Sequence, residues 1–384
     1  DKEVRVPMCG VPVRAVDTYV AKAVKAGRTI TICEQMEDPK AAKGIVKRAV
    51  VRTITPGTVM APELLDDRAN NYLAAIGFPA EGDGGIAFID ITTGEVLAAQ
   101  ITPPIDRVLQ DELTRMAPVE VLYPEDLAPE RLDPLRRYFP AMTFTPQNPD
   151  HFDADLAGNL VMNLFGLGTL KGIGLDNALE ACGCLGAAIA YVRDTQRDGT
   201  PRLRLPRRYS PSGYVVLDGN TQRNLELVAT LAGGAKRGSL LGVLDRTLTS
   251  MGARLLRQWV VHPLVDASAI QQRLDAVESL IEGIERRMGL REQLRGITDL
   301  ERLMGRLTAK TGNARDMRAL GASLSRVPVL RDLLKDADSA LLQEILLDLD
   351  PLDDITARID KALVDEPPLA LNEGNIIRDE YDAE

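Results

Sequence analysis

Apolar and polar positions along the chain fall into three successive patterns. From Ala15 to Ala26 the residues Val16, Tyr19, Val20, Ala23 and Val24 share one helical face, and Gly27 ends the run. Thr29 to Cys33 then alternates like a half-buried strand, and the β-branched run Val50 to Thr55 leads into the turn Pro56-Gly57. This predicts a small mixed α/β unit over residues 1–63. A second pattern has apolar runs at 72–77, 85–91 and 95–101, with Thr92-Thr93-Gly94 as a hairpin turn between the last two. A helix over 106–116, a strand over 120–123 and a further helix follow. The third pattern is helical.

That helical pattern begins after a basic, proline-containing stretch, Arg197 to Gly213, which reads as a linker. Asn220 and Thr221 suit the N-cap of a helix over Gln222 to Leu231, with Leu225, Val228 and Leu231 at spacings of three and Gly233-Gly234 as the break. Further helices are predicted around Leu240 to Leu244, from Met251 to a stop at Pro263, and over 270–281, 297–310, 314–324, 329–334, 339–347 and 352–364. The fold class is thus multidomain, α/β plus all-α. The middle domain, over 64–205, has three antiparallel strands followed by α-β-α, the order of an RNase H-like fold, and a helical domain spans 206–384.

A length of 384 residues agrees with two or three cores. No apolar run reaches the roughly 18 residues of a membrane span, and the start DKEVRVPMCG is neither a signal nor a transit peptide. Cys9, Cys33, Cys182 and Cys184 are too few for a disulfide framework, so a reduced cytoplasm is the expected location. The net charge of −10 argues at first against nucleic acid. Its distribution changes the picture, because residues 338–384 alone carry 14 acidic and 3 basic side chains. Residues 1–63 hold 11 basic against 7 acidic, and 205–260 hold 8 against 3, so local basic faces permit phosphate contact.

Candidate chemistry is sparse. Asp90, with Asp176, Glu180 or Asp194 drafted beside it, gives a possible Mg²⁺ nuclease site on the RNase H-like domain, without diagnostic spacing. Gly166, Gly168, Gly172 and Gly174 fit no phosphate-binding loop and read as a turn. Cys182 and Cys184 read as small core residues, since His151 and His262 are the only histidines and neither is near in sequence. No metal site is expected. Trp259, with Arg254, Arg257 and Arg246 in its vicinity, reads as a core residue of its helix.

Read as strings, several blocks are more specific. PMCGVP (Pro7 to Pro12), ICEQMEDP (Ile32 to Pro39), Lys43-Gly44 and VVRTITPGTV (Val50 to Val59) resemble the second half of the mismatch-recognition domain of the MutS family of DNA mismatch repair proteins. NLFGLGTLKGIGLDNALEACGCLGAAIAYVRDTQR (Asn163 to Arg197) resembles its connector domain. LDGNTQRNLEL, GSLLGVLDRTLTSMGARLLRQWVVHPL, DLERLMGRLTAKTGNARDMRAL and the final DEPPLALNEGNIIRDEYDAE resemble the first part of its core, or lever, domain.

The resemblance implies a protein that binds mispaired or looped-out bases in duplex DNA as a homodimer. It also implies ATP and Mg²⁺ as cofactors of the whole protein and signalling to a MutL-type partner. Neither the Phe-x-Glu motif with which the family reads mismatches nor a G-x-x-x-x-G-K-[ST] loop occurs in these residues. The expectation is therefore a non-catalytic part of such a protein, without a cofactor of its own and truncated on its N-terminal side and before the clamp and ATPase. Lys43, Lys47 and Arg52 would supply phosphate charge, with Met8 and Arg14 near the duplex. A nuclease centred on 72–205 and an inert helical scaffold without DNA contact are the alternatives.

Overall fold

The computed structural model describes residues 11, 16–37, 46–79, 82–196, 202–369 and 373–381. The N-terminal region consists of helix α1 (Val16–Lys25) against an antiparallel pair, β1 (Ile30–Gln35) and β2 (Arg48–Ile54). Val20 and Val24 pack on Ile54 and Val59, with Ile30 and Ile32 partly buried beside them. Tyr19, expected on that face, is instead exposed. The pairing shifts between Ile32 and Cys33, so one residue of β2 bulges out of register.

The middle region is built on a six-stranded sheet. Strands β3 (Leu73–Gly77), β4 (Gly84–Asp90) and β5 (Glu95–Ile101) form an antiparallel meander. The next elements are α2 (Ile105–Met116), β6 (Glu120–Pro124), α3 (Pro129–Tyr138), β7 (Thr143–Gln147), α4 (Ala154–Phe165), α5 (Leu179–Thr195) and β8 (Arg207–Arg208). The spatial order is β7-β6-β3-β4-β5-β8, with β6 parallel to β3 and β7 parallel to β6. This is the RNase H-like arrangement that the element order implies. Alternate strand residues feed two cores: Leu73, Ala75, Ala87 and Ile89 face α5, while Ala74, Ile76, Ile86 and Phe88 pack with Leu109 and Leu113 of α2. The sheet is thus covered on both sides.

Two edge strands correct the sequence reading. Strand β7 lies in a segment that Pro146 disguised, and Pro is tolerated there because β7 is an edge. Strand β8 falls within the expected linker, which is in fact docked: Tyr209 donates to Glu112 at 2.7 Å and its backbone N–H bonds Ala98 O at 3.0 Å.

The C-terminal region is helical: α6 (Gly219–Asn224), α7 (Leu240–Leu244), α8 (Ser250–Val261), α9 (Ala267–Glu282), α10 (Ile284–Arg295), α11 (Leu300–Thr308), α12 (Ala314–Leu324), α13 (Val327–Leu334), α14 (Ala340–Asp348) and α15 (Asp353–Ala362). Side-chain caps at Ser239, Thr249, Asp266, Asp299 and Asn313 set several starts. The helix expected over 222–231 is only six residues long. Asp218 caps it, rather than Asn220 or Thr221, and it ends well before the Gly pair. Glu226 adopts a φ of 49°, and its backbone carbonyl and that of Leu227 accept from Leu240 and Leu241. Those bonds replace the helical ladder. Helix α10 was not anticipated, because its apolar residues are diluted by Arg and Glu. On α9 the expected face is helical but uncovered, with Leu274, Val277 and Ile281 all exposed.

Candidate nucleic-acid interface and the joints behind it

The loop end of the β1–β2 ribbon carries Lys47 and Arg48, both exposed. The Lys47 backbone is pinned: its N–H donates to Glu37 Oε1 at 2.7 Å, and its carbonyl accepts from Met36 N at 2.9 Å. Its ammonium, like the guanidinium groups of Arg48 and Arg52, makes no bond with a described residue. Arg52 sits opposite Ile32 in the ribbon, hence on the side that also carries Ile30 and Ile54, and is half-buried. Its reach outward is shorter than that of Lys47 and Arg48, a residue the sequence reading passed over. Met36 and Val50 add exposed apolar surface beside them. Met8, Arg14 and Lys43 lie outside the described residues.

Behind this ribbon is a buried carboxylate. Glu120, first residue of β6, is 1% exposed and has no cationic partner among the described residues. Its Oε2 accepts from Thr55 Oγ1 at 2.6 Å and Gly57 N at 2.9 Å. Its Oε1 accepts from Thr145 Oγ1 at 2.8 Å and Tyr191 O–H at 2.7 Å. Burial, then the Glu120 charge, pushes the Tyr191 phenol far above its ordinary range, so it stays a donor. Gly57 is required for this approach, since a Cβ there would fall 2.8 Å from Leu73 Cδ1 and 3.0 Å from Glu120 Oε2. Gln196 of the segment after α5 reaches the Thr53 and Thr58 carbonyls at 3.4 and 3.3 Å. The turn that ends the first region is thus bolted to the sheet of the second. An acid opening an otherwise apolar strand was the only sequence signal for Glu120.

A second joint ties the sheet to the helices. Arg254 of α8, with a side chain 3% exposed, donates to Asp299 Oδ2 and Oδ1 at 2.6 and 2.8 Å, to Glu301 Oε2 at 2.7 Å and to the Asp67 carbonyl at 2.9 Å. Arg302 donates to the Ala69 carbonyl at 2.7 Å. Arg68 bonds Asp245 through Nε and NH2 at 3.1 and 2.6 Å, and Lys236 Nζ joins at 2.6 Å. Burial alone would raise the Asp245 pKa, but the bonds from Arg68, Lys236 and Thr247 reverse it and hold the carboxyl far below its usual range. Asp299 is lowered the same way, chiefly by Arg254 against its own burial. Nearer the sheet, Glu95 accepts from Tyr72 O–H at 2.6 Å and Gln258 Nε2 at 3.3 Å. Arg254, one of the basic residues of 205–260, is thus spent on a structural ion pair.

The drafted nuclease constellation does not come together. Asp90 is buried at the hairpin end of β4, where Asn70 Nδ2, Asn71 N, Thr92 N and Thr92 Oγ1 occupy its oxygens. Glu180 lies at the other end of that strand, because a Cβ on Gly85 would fall 2.2 Å from the Glu180 carbonyl. Five residue steps along the strand, from Gly85 to Asp90, separate the two, about 17 Å. Glu180 and Asp194 stand at opposite ends of the 17-residue α5, and Asp176 is exposed in the loop before it. Among the described residues no three His, Cys, Asp or Glu are arranged to hold a metal. Cys182 and Cys184 are buried, and burial pushes the Cys182 thiol up to about 11. Trp259 is not a core residue: it is 40% exposed, with the Arg273 guanidinium 3.8 Å from its ring centroid. No helix among the described residues is long and apolar enough to cross a membrane.

Comparison with known proteins falls on the same three regions. Residues 1–63 match the model of MutS domain I, 71–205 that of MutS domain II and 220–384 that of MutS domain III. The chain belongs to the MutS family. It is similar to curated relatives named DNA mismatch repair protein MutS, at 41% identity over 99% of the chain in Symbiobacterium thermophilum, 37% over 99% in Halothermothrix orenii and 39% over 99% in Methanosarcina barkeri. It spans 43%, 42% and 44% of the length of those relatives. In MutS terms, Glu120 joins domain I to domain II, and Arg254, paired with Asp299 inside domain III, reaches the segment before domain II through the Asp67 carbonyl.

Proposed function

We propose that this chain is the part of a mismatch-repair protein that meets duplex DNA and carries the resulting state toward the rest of the molecule. The observation that carries the reading is the pair of joints: a domain I ribbon whose Lys47, Arg48 and Arg52 have no acidic partner among the described residues stands on Glu120, and the segment leading into the sheet behind it is held by Arg254. Lys47, Arg48 and Arg52, with Lys43, Arg14 and Met8 added by the MutS resemblance, would contact the sugar-phosphate backbone independently of sequence. In the whole protein, preference for a mispair would arise because unstacking is cheapest there. The Phe-x-Glu wedge that exploits this is not present in residues 1–63.

The whole protein, in this reading, acts as a cytoplasmic homodimer, uses ATP with Mg²⁺ and signals to a MutL-type partner. The glycines of 166–174 offer no nucleotide loop in this reading. Gly166 is a left-handed C-cap of α4 and Gly174 closes a short turn, and neither belongs to a strand-loop-helix phosphate cradle. The role of these three domains is to bind and to transmit through rigid bodies. Fluorescence anisotropy with a labelled duplex tests the reading. The 384-residue chain is expected to bind matched and G·T-mispaired duplexes with equal, weak affinity and to turn over no ATP. A clear mismatch preference would contradict the assignment of the wedge elsewhere, and ATP hydrolysis would contradict the domain assignment.

A further inference from the structure

The uncovered face of α9 has a heptad rhythm. Ile270, Leu274, Val277 and Ile281 recur at steps of four, three and four, and Ile284 and Met288 carry the same steps into α10. These residues are 38 to 65% exposed. A different side of α9 buries Ala276, with Leu280 beside it, against Leu342 of α14. The helix therefore has one seam used inside its own domain and a second that no described residue covers. The six side chains of that second seam offer about 600 Å² per copy, the upper end of what a monomer normally exposes. Two such faces together would bury about 1,200 Å², the lower end for a specific interface.

The positions flanking this seam carry opposite charges. With Ile270 and Val277 at heptad position d and Leu274 and Ile281 at a, Arg273 falls at g and Glu278 at e. Neither forms an ion pair with a described residue: the Arg273 guanidinium lies over the Trp259 ring, and Glu278 is exposed. In a parallel pair of helices each g residue meets the e residue five positions later on its neighbour, so Arg273 of one copy faces Glu278 of the other, twice across the two-fold axis. An antiparallel pair sets g against g and e against e, and neither ion pair forms. We infer that α9 is a self-association face on which a second copy of this chain docks its own α9 in parallel. Leu274, Val277 and Ile281 form the apolar seam, and the two Arg273–Glu278 pairs fix its direction. Free helices with Leu at a and Val at d tend to gather in more than two strands, but α14 already occupies the flank at Leu280 and leaves room for one neighbour.

Sedimentation equilibrium on the 384-residue chain tests this. A reversible monomer–dimer equilibrium is expected, with a Kd on the order of tens of micromolar for an interface of this size. Val277→Glu, at an exposed position, should weaken it about tenfold or more while leaving the melting temperature unchanged. Arg273→Glu and Glu278→Arg should each weaken it, and the two together should restore it, because the pairs re-form with their signs exchanged. A chain that stays monomeric well above that range would overturn the assignment and leave the face to a partner of different sequence. A dimer that Val277→Glu does not weaken would overturn it too and place the contact on another surface. Failure of the double exchange to recover affinity would overturn the parallel register. The inference is independent of duplex binding, so the two fail separately.

Discussion

Arg254 grips Asp299 through both terminal guanidinium nitrogens, at 2.6 and 2.8 Å, and the same group reaches back to the Asp67 carbonyl in the segment between domains I and II. One side chain therefore closes the helical region and fastens it to the segment that leads into the sheet. Removing it leaves Asp299, at 17% side-chain exposure, without its guanidinium partner, while Glu301, at 29%, keeps Arg204 at 3.0 Å. Arg254→Ala is expected to cost about 3 kcal/mol. Urea unfolding checks this, and a loss below about 1 kcal/mol would mean that the joint is not where domains II and III are held. Arg254→Lys should recover only part, since a single ammonium cannot repeat the two-pronged contact.

Glu120 predicts a more local effect. Glu120→Gln keeps the shape but removes the charge and turns one acceptor into a donor facing hydroxyl groups, at about 1.5–3 kcal/mol. Hydrogen exchange should quicken first at Thr55 to Thr58 and along β2, while the amides of β3 and β4 keep their protection. Uniform acceleration across the sheet would instead make Glu120 an ordinary core residue of domain II.

His262 sets an acid limb. Its folded pKa of about 4 lies below the ordinary 6.5, so between these values the unfolded chain binds a proton that the folded chain refuses. Stability from this group is complete above pH 6.5, declines as pH falls toward 4, and is lost below it. The full difference corresponds to about 3 kcal/mol. Chemical unfolding at several pH values should show that slope, and His262→Gln should flatten it. An unchanged slope in the variant would assign the acid limb to other groups.

The single tryptophan offers an inexpensive check on the helical region. Stacked under Arg273 and 40% exposed, Trp259 should be readily quenched by acrylamide in the folded chain. Trp259→Ala should cost about 1–2 kcal/mol, against about 3–5 for a tryptophan in a packed core. Shielded fluorescence with a large loss of stability would return the residue to the interior.

Much of the architecture was legible from period alone. The meander β3–β5 and the hairpin turn at 92–94 followed from alternation and turn chemistry, and the helix over 314–324 from spacing. Where the reading failed, a competing interaction had won. The helix expected to reach Leu231 stops at Asn224 because backbone bonds to Leu240 and Leu241 offered residues 226–227 a tertiary alternative. Trp259, Leu274 and Val277 show the limit of apolar spacing, which fixes a helix and its seam but not whether anything covers that seam. Charged residues were the hardest to read. Arg254 meets Asp299 across 45 positions and Thr55 meets Glu120 across 65, separations that no local window contains.

The basic ribbon of domain I carries the central claim, and the salt dependence of duplex binding tests it most directly. The logarithm of the binding constant should fall linearly with the logarithm of salt concentration, by about 0.9 for each phosphate neutralised. Lys47→Gln combined with Arg48→Gln should make that slope shallower by about 2 while leaving the fold intact. Binding that is indifferent to salt, or a slope that the double substitution does not change, would contradict the account.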